Sequence, residues 1–167
     1  MNIFPTKILL ASDGSEEATL AAQVAADLAN KTDSELHIVY ARPTTTPHYP
    51  GYYVGPGVRE DAAQKERKLL DREAQRLLDD QVEQVRAAGG SAAQTHLRTG
   101  RIDKEIVAAA EELGAGLIVV GSRGRGGIKR ALLGSVSDSV VRHAHCPVLV
   151  VREDAREEGE PAEVGLV

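Results

Sequence analysis

The sequence predicts a doubly wound α/β protein, a parallel sheet covered by helices on both faces. Short apolar runs alternate with helical patterns along almost the whole chain, so each pair of runs is joined by a crossover long enough for parallel pairing. The run LIVV (117–120) holds nothing polar, as expected of a strand covered on both sides. Asp13, Ala41 and Gly121 fall at the carboxyl ends of the runs 7–13, 35–41 and 117–122, where ligands sit in such sheets.

The elements follow in order. KILLASD (7–13) reads as a first strand ending in an acid. EEATLAAQVAADLAN (16–30) reads as a helix with Leu20, Val24 and Leu28 on one face and alanines between them for close packing. ELHIVYA (35–41) is a second strand, and RPTTTPHYPGYYVGPG (42–57) is a loop by its prolines and glycines. Residues 58–88 form a long, highly charged helix with Leu70, Ala74, Leu77 and Val85 inward, ended by Gly89 and Gly90. AAQTHLR (92–98) is a half-buried strand, and RIDKEIVAAAEELGA (101–115) a helix aligning Ile102, Ile106, Ala110 and Leu113. LIVVGS (117–122) is the fourth strand, SVSDSVVRHA a short helix, and PVLVV (147–151) the last strand.

The chain of 167 residues reads as one domain over 1–152, followed by an acidic tail, 153–167, too polar to bury and expected to be disordered. The stretch from Arg152 onward holds −4 of the formal charge of −5, so the remainder is nearly neutral. No global basic field exists for nucleic acid or an anionic membrane, and no apolar run is long enough to span one. The start MNIFPTKILLASD lacks the layout of a secretory signal, so a cytoplasmic location is expected. Cys146 is the single cysteine, which excludes an internal disulfide.

Positive charge is local instead. Gly121–Ser135, GSRGRGGIKRALLGS, holds five glycines and four basic residues with no carboxylate. Its spacing is Gly121, two residues, Gly124, nine residues, Gly134, Ser135. Glycines let backbone N–H groups approach phosphate oxygens with no Cβ in the way, and the helix opening at Gly134-Ser135 presents unpaired amides to an anion. Ser135 with Asp138 also fits an S-x-x-D capping pattern, and the two roles are compatible. Arg123, Arg125, Lys129 and Arg130 add field, each read singly as a solvated charge. P-loop and dinucleotide spacings are absent, and one Arg-Gly copy without aromatic neighbours does not make a nucleic-acid tract.

This spacing, with ILLASDGS (8–15) at the first strand and HCPVLVV (145–151) at the last, resembles the universal stress protein family in its ATP-binding branch, over residues 6–152. The resemblance implies a five-stranded, Rossmann-like parallel sheet in order 3-2-1-4-5, of the adenine nucleotide alpha hydrolase-like kind, and a homodimer. It places the backbone of Ala11 beside a nucleoside, with Ser12 next to it, and Asp13 near the ribose and a Mg²⁺ ion. Ala41 would read the adenine edge through its backbone. Gly121, Ser122, Arg123, Gly124, Arg125, Gly126 and Gly127 would line ribose and phosphates, and Gly134, Ser135, Val136 and Ser137 would close on the phosphate tail. The Arg-Gly-Gly at the middle of the loop departs from the family pattern and bears on the preferred phosphate count.

Other candidates read as structural. Asp13 precedes a helix in DGSEE, which also has capping chemistry, so capping and nucleotide or Mg²⁺ contact are both open. HAHC (143–146) crowds its ligands too closely for one tetrahedral zinc; His143 suits a helix C-terminus and Cys146 a buried place beside Pro147. His37 and His96 sit singly in strands. Tyr49, Tyr52 and Tyr53 fit equally a ligand cover, a partner contact or rim packing. The uncharged last strand is an unprotected edge, so a symmetric dimer through Pro147–Arg152 is expected.

The function these observations support is an ATP-binding regulatory module with Mg²⁺, not an enzyme, with at most slow hydrolysis for want of an evident general base. Two rivals stand beside it. An adenylating enzyme of the ATP pyrophosphatase type would need a Gly-rich phosphate loop after the first strand, where this chain has SDGSEE. A nucleotide-free dimerisation module would use the glycine loop only as a connector.

Overall fold

A computed structural model describes residues 3–44, 55–124 and 133–152. Arg125, Gly126, Gly127, Lys129, Arg130, the three loop tyrosines and the acidic tail lie outside the described residues. The order of elements is β1 (Lys7–Ala11), α1 (Glu16–Thr32), β2 (Glu35–Arg42), α2 (Pro56–Ala87), β3 (Ala92–Thr99), α3 (Ile102–Leu113), β4 (Leu117–Gly121), α4 (Ser135–His143) and β5 (Val148–Val151). The five strands form one sheet in the order β3-β2-β1-β4-β5, and every pairing is parallel. The expected architecture and strand order are therefore present.

Alternation along β1 distributes side chains to two cores. Ile8 and Leu10 face a cluster shared with α1 and α2, while Leu9 faces a second cluster shared with α3 and α4. All three are fully buried, and each such side chain contributes about 1.5–3 kcal/mol of transfer free energy. The sheet is thus the middle of three layers.

Two helices sit differently from expectation. In α1 the buried face is Ala18, Ala21, Ala22, Ala25, Ala26 and Ala29, and Leu20, Val24 and Leu28 are only half-buried at its flank. Small side chains let the helix lie close on the sheet, so the alanines take the contact and the larger residues are pushed aside. The closeness shows at Gly121, where an added Cβ would stand 3.2 Å from Cβ of Glu17. In α2 the buried residues are Ala74, Leu78, Gln81 and Val85, so the inner face carries Leu78 in place of Leu77. Leu70 and Leu77 instead line an open cavity with Tyr40, Pro43 and Arg42.

The two strand histidines are not single. His37, 5% exposed, meets His96 with Nδ1 and Nε2 3.3 Å apart, and Glu35 Oε2 lies 3.4 Å from His37 Nε2. The ring centroids are 5.5 Å apart, well beyond the nitrogen separation, so the rings meet edge to edge and tie β2 to β3. Burial, then the neighbouring His37 and Arg98, holds the His96 pKa below its ordinary value.

At the other end of the chain, His143 Nδ1 donates to the carbonyl oxygen of Ser139, 2.8 Å away in the last turn of α4, as expected for a helix C-terminus. Cys146 is half-buried against the α3–α4 core, and burial raises its thiol pKa. Among the described residues no group of three metal-ligating side chains occurs, and no helix is long and apolar enough to cross a membrane.

Candidate functional site

The chain runs from β1 outward to β3 on one side and returns to β4 and β5 on the other, so the strand order reverses between β1 and β4. Such a switch point opens a crevice at the carboxyl ends of the strands. A cavity of about 340 Å³ lies there. Its depth comes from unequal strand lengths. The β1–β2 ladder ends at Ala11 and Val39, while β2 continues to Arg42 paired with β3. Tyr40 and Ala41 therefore line the gap that β1 leaves.

The cavity has two kinds of wall. Ala41 and Pro43 from the end of β2, Ile102 and Ile106 from α3, and Val120 from β4 make an apolar side. Ser12 and Asp13 after β1, Gly124 after β4, and Gly134, Ser135 and Ser137 at the start of α4 make a polar one. Flat apolar matter fits the first and an anion the second, since α4 begins without any side-chain cap on its first-turn amides.

Of the residues singled out from sequence, Ala11, Ser12, Asp13, Ala41, Gly121, Arg123, Gly124, Gly134, Ser135, Val136 and Ser137 all line this one cavity. Ser122 does not: it is fully buried behind the wall. Arg125, Gly126 and Gly127 lie outside the described residues.

Local chemistry explains how each is held. Ser15 is the N-cap of α1, its hydroxyl accepting from Ala18 N at 3.2 Å. Asp13 Oδ1 accepts from Ser15 N at 3.0 Å, so the acid shapes the turn without being the cap itself. Its other oxygen, Oδ2, stands 2.5 Å from where a Cβ on Gly124 would be, so any larger residue there displaces the Asp13 carboxylate. Asp13 thus faces the cavity across the very residue whose Cβ is missing.

The capping pattern at Ser135 is not realised. The N-cap of α4 is Gly134, in extended conformation with its N–H donated to Ser122 O at 2.6 Å. The helix starts one residue earlier than the S-x-x-D pattern needs, and Asp138 pairs with Arg142 at 2.9 Å. Ser137 spends its hydroxyl on Gly121 O at 2.7 Å, which fixes the helix start to the end of β4.

Sequence reasoning gave no site role to Pro43, Ile102, Ile106 and Val120 of the apolar wall, nor to Glu17 behind it. Glu17, 8% exposed, accepts from Ser122 Oγ at 2.8 Å, from Arg123 N at 2.5 Å and from Arg123 Nε at 3.1 Å. Arg123 is therefore held by a buried carboxylate rather than solvated as a lone charge. Ser122 N is likewise occupied, donating to Val151 O at 2.8 Å. No local pattern around Glu17 announces this role, because its partners lie more than a hundred residues away, at a separation of 105 for Ser122.

A doubly wound α/β chain whose cleft sits at the switch point, apolar on one side and headed by an uncapped helix on the other, belongs to the class that holds ligands beyond the strand ends. Comparison with known proteins makes the assignment narrower: the family profile described as the universal stress protein family matches residues 5–152, and the chain belongs to that family. A universal stress protein of Methanocaldococcus jannaschii is 34% identical over 151 residues, covering 90% of this chain and 84% of that protein. Among solved structures, the universal stress protein UspA from Lactobacillus plantarum superposes with a TM-score of 0.74 at 24% identity, covering 90% of this chain and 100% of that one. A universal stress protein solved in complex with cAMP superposes with a TM-score of 0.59 at 25% identity, covering 87% of this chain and 94% of that one.

Proposed function

We propose that the protein binds ATP, with Mg²⁺, in the switch-point cavity and acts as a regulatory stress-response module in the cytoplasm. The observation that carries this reading is the pairing of walls: an apolar slot from Ala41, Ile102, Ile106 and Val120 beside an uncapped helix start at Gly134–Ser137. A purine suits the slot, and a phosphate chain suits the helix start and Gly124. The universal stress protein solved with cAMP supports an adenine nucleotide as the class of ligand.

The residues fit Mg²⁺ in one respect that can be tested against its chemistry. Mg²⁺ keeps most of its waters and takes one or two carboxylates beside substrate phosphates. Asp13 is the sole carboxylate among the described residues lining the cavity, and it would hold the ion against the phosphate chain. Bound there, the ion supplies charge neutralisation. The protein's own part is to orient: Ser15 N fixes Asp13, and Ser137 fixes the start of α4. With Asp13 assigned to the ion in this reading, no other described wall residue is left as a general base for water, so hydrolysis is at most slow.

Calorimetric titration with ATP, ADP, AMP and cAMP, each with and without Mg²⁺, tests the reading. Saturable binding of ATP that tightens with Mg²⁺ is expected, as is an adenine nucleotide in the mass spectrum of material released on denaturation. Silence in both would leave the nucleotide-free module standing. The adenylating alternative is disfavoured at α1, whose start is closed by the Ser15 hydroxyl and flanked by Glu16 and Glu17. An anionic pyrophosphate would meet carboxylates there.

The protein works as a homodimer in this reading. β5 pairs only with β4 among the described strands, and Leu149 at 36% exposure lies on it, with Val141 of α4 at 44%. A second copy joined through Pro147–Arg152 would cover that edge. Leu149→Lys is expected to move the gel-filtration peak toward the monomer position; an unmoved dimer peak excludes this interface.

A further inference from the structure

Arg123 is the basic residue of the glycine segment that lines the cavity within the described structure, and its guanidinium is already paired. Glu17 Oε1 lies 3.1 Å from Arg123 Nε, and the two side chains are 10% and 24% exposed. The other carboxylate oxygen takes the Ser122 hydroxyl and the Arg123 amide. Glu17 therefore does two things at once. It fixes the backbone where β4 turns into the loop, and it cancels the charge that Arg123 would otherwise present to a ligand. Because the pair is largely shielded from water, that cancellation is felt more strongly than at an open surface.

We propose that Glu17 is a positioning residue that sets how much negative charge the cavity accepts. This deepens the nucleotide reading and rests on it for the identity of the natural ligand. A ligand with one phosphate charge finds a nearly neutral ion pair behind the wall. A triphosphate competes with the Glu17 carboxylate for Arg123, and the outcome depends on ligand charge. The Glu17–Arg123 pair is in this way a threshold, set by α1, for a site built mostly by β4 and α4.

Glu17→Gln keeps an oxygen acceptor for Ser122 Oγ and Arg123 N and removes the charge, so the turn stays in place. Arg123→Gln removes the cation and leaves the carboxylate. Affinities of ATP, AMP and inorganic tripolyphosphate are measured by calorimetry at one fixed ionic strength without Mg²⁺, for the wild type, both variants and the double variant. In Glu17→Gln the ATP-to-AMP affinity ratio is expected to rise about tenfold, with tripolyphosphate gaining alongside ATP. In Arg123→Gln the ratio falls, and in the double variant it returns near the wild-type value. A purely structural Glu17 would shift all ligands by the same factor, and that result, or unchanged ratios, overturns the proposal. Wild type that binds tripolyphosphate but no nucleotide overturns the nucleotide reading alone, and the tripolyphosphate gain in Glu17→Gln then decides this one. Wild type that binds neither overturns both.

Discussion

Gly124→Val is expected to remove adenine nucleotide binding from a folded protein. A Cβ at residue 124 would lie 2.5 Å from Asp13 Oδ2, closer than any real contact of this kind, with the carboxylate group's carbon next at 3.7 Å. Moving Asp13 aside costs the hydrogen bond that its Oδ1 accepts from Ser15 N at 3.0 Å in the turn that starts α1. The two valine methyls would then be directed at the space where Gly124 lines the cavity, between Asp13 and the start of α4. Both the proposed phosphate position and the proposed Mg²⁺ ligand are disturbed by one change. A loss in ATP affinity of about a hundredfold or more is expected, equivalent to roughly 2.7 kcal/mol or more. The surroundings of Gly124 lie at the carboxyl-end surface and outside both apolar clusters, so the melting temperature should move by only a few degrees. Calorimetry with circular dichroism separates the two effects. A folded Gly124→Val protein with wild-type affinity would show that ligand, if bound, sits elsewhere.

What sequence alone conveyed divides along the distance over which its causes act. The strands Lys7–Ala11 and Leu117–Gly121, expected over 7–13 and 117–122, were legible because burial on both faces leaves a plain apolar signature. The end of α2 was legible from Gly89 and Gly90, whereas α3, expected to run to residue 115, stops at Leu113 with Gly114 as a left-handed cap. The inner face of α1 was not legible, because hydrophobicity favours Leu20, Val24 and Leu28 while close approach to the sheet favours the alanines. In α2 the adjacent Leu77 and Leu78 are equally apolar, so local hydrophobicity does not say which faces inward, and the structure buries Leu78. At the candidate site, spacing identified the residues of the glycine segment but not what each one touches. Glu17 reaching Ser122 and Arg123, Asp13 against Gly124, and His37 meeting His96 across two strands all join distant parts of the chain. Such pairs leave no periodic trace, so only the fold discloses them.

The same kind of long-range tie leads to the largest expected change in stability, at Asp103. This residue, 9% exposed at the start of α3, accepts from Ser139 Oγ of α4 at 2.6 Å and from Arg101 Nε and Nη2 at 2.8 and 3.1 Å. It fastens the two helices that cover one face of the sheet, next to Ile102 and about one turn before Ile106, both in the cavity wall. Hydrogen bonds to a charged group stabilise by about 1.5–3 kcal/mol each, and the loss also leaves Ser139 and Arg101 without their acceptor. Asp103→Ala is therefore expected to lower the unfolding free energy at pH 7 by about 2–4 kcal/mol, measured by urea denaturation. The pH dependence has a definite sign. The bond from Ser139, with those from Arg101, lowers the folded pKa of Asp103 from 3.8 to about 2. Its electrostatic contribution is thus present above pH 3.8 and lost as pH falls toward about 2, where the carboxyl protonates in the folded state as well. The gap between wild type and Asp103→Asn, which keeps an oxygen for Ser139 but cannot ionise, should accordingly narrow between pH 5 and about 2. A gap that persists unchanged into acid would mean that the carboxylate's charge contributes nothing, and that Asp103 holds α3 to α4 by shape alone.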